Sequence, residues 1–187
     1  KKILFRADAA PHIGIGDLMS LINLSHYFDK KYEIHFMIKN YKAGVELAKK
    51  YEIENCFILS ENILIYDEIS EINKYIKKFN IDLLFFEITE RKLSDYIGIN
   101  GCSKKIAINF DGHILDDLDM VIDWDVVAYK YFDIEKYSKT IFLLGPQYVI
   151  LPKDFYSSKV LNRKNLLNNK IILIAMGGAD EYNYTGK

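Results

Sequence analysis

Short apolar runs separated by amphipathic stretches organise most of this chain. Strand-like runs fall near Ile3–Arg6, Glu33–Ile38, Cys56–Leu59, Leu83–Glu87, Lys105–Asn109, Met120–Ile122 and Thr140–Leu143. Between the first two, Leu18, Leu21, Ile22, Ser25 and Phe28 recur at helical spacing. Ala43–Tyr51 and Asp67–Phe79 repeat that spacing, the second through Ile69, Ile72, Ile76 and Phe79. Helical patterns fill most of the gaps. Strands that alternate with helices in this way predict an α/β fold, a doubly wound, Rossmann-like parallel sheet with helices on both faces.

The first unit carries the densest chemistry. Gly14 and Gly16 precede the first helix, so the backbone can turn tightly and a ligand can approach the helix N-terminus. Asp17 then stands at the helix start, where an aspartate side chain can cap free N–H groups. A carboxylate at this end repels a phosphate, which argues against simple anion binding. Ligands of open α/β sheets lie beyond the carboxyl ends of the strands. The 7–16 loop, Glu87 and Asp111-Gly112-His113 all project from such ends and can face one cleft. His12 and His113 read as ordinary loop histidines that could in principle act if a partner is placed beside them, whereas His26 and His35 read as structural.

Composition narrows the function classes. The 187 residues are 50% hydrophobic, enough for one substantial core and the start of a second. A formal net charge of -1 gives no basic footprint for nucleic acid. Cys56 and Cys102 have no metal-like spacing, and no apolar run approaches the roughly 20 residues that cross a bilayer. A soluble cytoplasmic protein is expected, with no membrane span. Residues 1–151 read as one α/β domain and the lysine- and asparagine-rich 152–170 as a linker. Residues 171–187 then read as the first strand and glycine loop of a second domain, in which Gly177, Gly178, Asp180 and Asn183 would frame a diphosphate.

The whole opening string is more specific than its parts. Arg6-x-Asp8, Ile13-Gly-x-Gly16 and the apolar helix resemble the N-terminus of the UDP-sugar hydrolases of pseudaminic acid biosynthesis and their relatives in spore-coat polysaccharide synthesis, which have a GT-B-like fold. Asn80–Glu87, Lys105–Asp111, Leu144–Phe155 and Ile174–Thr185 resemble further segments of that family in the same order, so the resemblance spans nearly the whole chain. It implies water attack on a UDP-diacetamido-trideoxy sugar with release of UDP, no cofactor and no metal. The N-terminal domain would hold the sugar and a C-terminal domain, expected to complete the cleft, would hold UDP. Carried over by position, Asp17 takes the acid/base place and Arg6, Asp8, Gly14, Gly16, Glu87 and Asp111 take the substrate side.

The chain departs from the family at telling points. Asp17 stands where the family has its catalytic histidine and Ser20 where it has an arginine. Pro152 replaces another arginine, and Glu87 and Gly112 stand where aspartates are common. A GT-B glycosyltransferase, in which an acceptor hydroxyl replaces water, and a non-catalytic sugar-nucleotide-binding relative are the alternatives.

Overall fold

A computed structural model of the chain describes residues 1–88, 92–110, 117–157 and 186. Within them are β1 (Lys2–Ala7), α1 (Gly16–Ser25), β2 (Glu33–Lys39), α2 (Lys42–Lys50), β3 (Cys56–Leu59) and α3 (Ile65–Phe79). There follow β4 (Leu83–Glu87), β5 (Lys104–Ile108), β6 (Met120–Asp123), β7 (Ile141–Leu144) and the single turn α4 (Asp154–Ser157). The strands form one sheet in the order β3-β2-β1-β4-β5-β6-β7, with every neighbouring pair parallel. This is the expected Rossmann-like α/β fold. The chain runs outward from β1 to β3 and then crosses to β4 on the other side of β1, so the topological switch point lies between β1 and β4.

Strand alternation sends successive side chains to opposite faces. On one face Ile3, Phe5, Ala7, Phe36, Ile38, Phe85, Ile106 and Ile108 pack against Leu18, Leu21 and Ile22 of α1 and Ala48 of α2. On the other, Leu4, Met37, Leu84, Phe86, Ala107 and Val121 pack against Ile72, Tyr75 and Ile76 of α3. α3 suits its place: Asp67 and Glu68 lie in its first turn, Lys77 and Lys78 in its last, and Asn80 closes it in a left-handed conformation at φ 53°.

One expectation needs correction. Past β4 the described connections hold no α-helix before Asp154, only 3₁₀ turns at Leu93–Tyr96, Ala128–Lys130 and Pro146–Tyr148. Gly98 and Gly101, at φ 101° and 88°, hold backbone shapes that a helix excludes. The α3 face is covered there by single buried side chains, Tyr96, Ile99, Phe110, Leu118 and Phe132, instead of a helical stripe. After β7 the chain returns across the α1 face: the Tyr27 hydroxyl donates to the Leu151 carbonyl at 2.9 Å, and Tyr156 stacks edge-on against Tyr27.

Candidate functional site

Glu87 is the last residue of β4, and its place in the alternation points it to the α1 face. There it is 2% exposed. Its Oε1 accepts a hydrogen bond from Asn109 Nδ2 at 2.9 Å. Asn109 follows β5 with φ 54°, a left-handed residue that ends the strand. The Ser20 hydroxyl on α1 lies close enough to favour the ionised form of Glu87, but its own proton goes to the Gly16 carbonyl at 3.0 Å. Glu87 Oε2 therefore receives no hydrogen bond among the described residues. Asp17, half-buried in the first turn of α1, directs its negative charge at the same carboxyl. Two acids, an amide and a hydroxyl thus meet where β1 and β4 part.

The expected N-cap at Asp17 is not formed. The helix starts one residue earlier, at Gly16, its cap position is Ile15, and no side chain caps it. Asp17 lies inside the first turn, where a negative charge still complements the helix dipole.

Burial first, and the charge of Asp17 second, raise the Glu87 carboxyl well above its ordinary value of 4.5, against the opposing pull of Asn109 and Ser20. A raised carboxyl holds its proton more tightly in the folded chain than in the unfolded one. The stability it contributes is complete below the unfolded value and is lost as pH rises through the folded one, by about 1.4 kcal/mol per pH unit inside that window. Glu87→Gln keeps the shape and removes the titration. Its melting temperature is expected to fall less than that of the native chain as pH rises above the ordinary carboxyl value of 4.5. Parallel thermal-denaturation profiles for the two proteins would show that Glu87 carries no such strain.

Arg6 and Asp8 build a second cluster on the opposite face of the same sheet edge. Arg6, wholly buried, grips Asp8 with two hydrogen bonds of 2.6 and 2.7 Å. Its Nε and one Nη donate to Glu68 Oε1 of α3 at 3.0 and 2.8 Å. The Tyr96 hydroxyl donates to that same oxygen at 3.1 Å, and Asp8 also accepts from the Lys39 backbone N–H at 2.7 Å. Burial alone would lower the Arg6 pKa, but Asp8 and then Glu68 more than offset it, so the guanidinium stays charged. This network ties β1 to β2 and α3 and fixes where the 7–16 loop begins. It does not join the Glu87 cluster, because residues 6 and 87 face opposite sides of the sheet.

Gly14 is needed for its backbone: at φ 80° it closes a small bridge with Ala10. Gly16 has open space around the position of a Cβ and no unusual φ, so sterics do not require glycine there. His12 is exposed and meets the Tyr41 ring edge-on. His35 is structural as expected, buried between the Tyr75 hydroxyl at 3.0 Å and Glu33 at 2.9 Å. Asp111, Gly112, His113, Gly177, Gly178, Asp180 and Asn183 lie outside the described residues.

Asn109, Glu68 and Tyr96 were not singled out by sequence reasoning. Glu68 did leave a signal, a charge set beside Ile69 and Ile72 on the apolar stripe of α3. Among the described residues no group of three or more His, Cys, Asp or Glu side chains can hold a metal ion, and no helix is long and apolar enough to cross a membrane.

Comparison with known proteins adds one distant relative. The chain is 27% identical over 194 residues to the uncharacterized protein MJ1062 of Methanocaldococcus jannaschii. That match takes in 100% of this chain and 38% of the relative, so the chain spans well under half of that protein's length. No family model matches the chain, and no solved structure matches it.

Proposed function

We propose that this chain is the sugar-side domain of a nucleotide-sugar hydrolase of surface polysaccharide or nonulosonic acid synthesis, releasing UDP from a UDP-linked deoxy-amino sugar. The observation that carries the reading is the Asp17–Glu87 pair at the β1/β4 switch point, the place where a ligand of such a sheet binds. The sequence resemblance supplies the substrate class, and Asp17 occupies the position of the family's acid/base.

The chemistry follows from two carboxyls in unequal surroundings, an arrangement that separates acid and base roles. Glu87, buried and beside a like charge, retains its proton more readily than a solvated glutamate. Asp17, nearer the solvent, accepts the proton of a water molecule as that water's oxygen bonds to the anomeric carbon. The bond from that carbon to the diphosphate oxygen breaks, and the electron pair leaves with UDP. Glu87 and Asn109 hold polar groups of the sugar in register.

The test is UDP release from the diacetamido UDP-sugar by the full-length gene product, with Asp17→Ala and Asp17→His measured beside it. Turnover that collapses in Asp17→Ala establishes a hydrolase with a carboxylate in the histidine's place. No turnover in the native protein, with activity appearing in Asp17→His, would overturn the reading and leave a binding protein on an intact scaffold. Turnover only when an acceptor sugar is added would make it a transferase.

A further inference from the structure

We infer that the outer face of α3 is an interface for a second copy of this chain, the two helices lying antiparallel across a twofold axis near Ser70 and Asn73. α3 lies on the face of the sheet opposite Glu87, so this contact leaves the candidate site uncovered.

The first observation is a knob. α3 turns Ile72, Tyr75 and Ile76 into the core and leaves Tyr66, Ser70 and Lys77 in line on the outside. Tyr66 is 85% exposed. Leu64, which precedes the helix, and Ile97, next to the Gly98 that faces Ile69, are also exposed. The second is a hole. Along the same side of α3 runs a hollow of about 640 Å³, and Ile76, Lys77, Asn80, Asn100 and Gly101 wall the end farthest from Tyr66. Asn73 fixes that wall, donating to the Gly98 carbonyl and accepting from the Asn100 N–H, each at 2.9 Å. At Gly101, φ 88° disfavours any side chain and a Cβ would stand 3.4 Å from Ile76 Cγ2, so nothing fills the hollow from there.

Tyr66 and Lys77 are about 16 Å apart along one straight helix, so the knob cannot reach its own hole. A second α3 laid antiparallel sets its Tyr66 over Lys77 and the Gly101 wall, and its own hollow receives the first Tyr66. Contact of this reciprocal kind defines a twofold interface between identical chains. The ring then lies against the Lys77 ammonium, a cation–π contact, and its hydroxyl meets the Asn80 and Asn100 amides.

Charge sets the direction. Asp67 and Glu71 stand in the N-terminal half of α3, and Lys74, Lys77 and Lys78 in the C-terminal half. An antiparallel pair puts acids opposite lysines at both ends, whereas a parallel pair puts like against like. Ser70, small and central, lets the two backbones approach. The helix dipole accounts for the charges of the first and last turns, but not for a tyrosine left in water on the same helix as an unfilled hollow. A different protein would need only the knob or only the hole, and the presence of both selects a copy of this chain.

Sedimentation velocity on the full-length gene product across the micromolar range reads the result. A dimer is expected, weakened at least about tenfold by Tyr66→Ala with little change in melting temperature at low concentration. Asp67→Lys is expected to weaken it as well, and adding Lys78→Asp to that variant is expected to restore it, which a change in folding alone would not do. A monomer at every concentration overturns the inference. So does a dimer equally tight in Tyr66→Ala, which would place the contact elsewhere, and so does a loss in Asp67→Lys that Lys78→Asp fails to repair.

Discussion

Arg6→Leu is expected to destabilise the fold by about 3–5 kcal/mol, the usual cost of breaking a buried ion pair by removing one partner. Among the described residues Arg6 is the only cation hydrogen-bonded to Asp8 and Glu68 in this wholly buried network, and its loss leaves the two carboxylates facing each other across an apolar core. Asp8 would retain the Lys39 backbone N–H, and Glu68 would retain the Tyr96 hydroxyl, so neither is wholly orphaned. For a chain of this size the expected fall in melting temperature is on the order of 10 °C. Arg6→Lys is not a rescue, since a single ammonium cannot span Asp8 and Glu68 as the guanidinium fork does. Glu68→Gln in the Arg6→Leu background should recover part of the loss by removing one uncompensated charge. A chemical-denaturation series on the three proteins checks the set, and a loss below about 1 kcal/mol in Arg6→Leu would show the network to be dispensable.

The second large effect lies in turnover. If Asp17 is the base, Asp17→Ala should lower the rate of UDP release by about 10²–10⁴-fold, the range general-base catalysis supplies. Asp17→Asn, which keeps the shape and the half-buried contact surface, should lose nearly as much, and that equality separates proton transfer from packing. The loss should appear in kcat, with KM changed little, because a base acts on the water in the transition state and only weakly on substrate binding. Asp17→Asn also removes the charge that helps raise the Glu87 carboxyl, so the pH dependence of folding should flatten toward that of Glu87→Gln. Steady-state kinetics and thermal melts on one preparation measure both consequences. A native rate retained in Asp17→Asn would remove Asp17 from the mechanism.

The two clusters explain why only part of the site was legible in the sequence. Strands were readable because Ile3-Leu4-Phe5 and Leu83–Phe86 are apolar runs that cannot stay in water, and all seven appear within a residue or so of the expected bounds. The switch point was not, because the crossing from β3 to β4 on the far side of β1 is a matter of strand order. The helix content past β4 was not legible, because buried aromatics such as Tyr96 and Phe132 read the same whether they stand on a helix or on a short turn.

What the sequence by itself determined is local: which segments are strands, where α1 begins to within one residue, and that acids stand after β1 and at the end of β4. Only the tertiary structure decided which of those acids meet. Arg6 and Glu87 pair with adjacent rungs of neighbouring strands, yet the two-residue alternation of a strand sends one to α3 and the other to α1. Glu68, 62 residues from Arg6, becomes its partner, and Asn109, 22 residues from Glu87, becomes the donor that leaves one oxygen open. Periodicity records which face a residue takes, but the partner across that face is chosen by strand order and register, and those are properties of the assembled sheet.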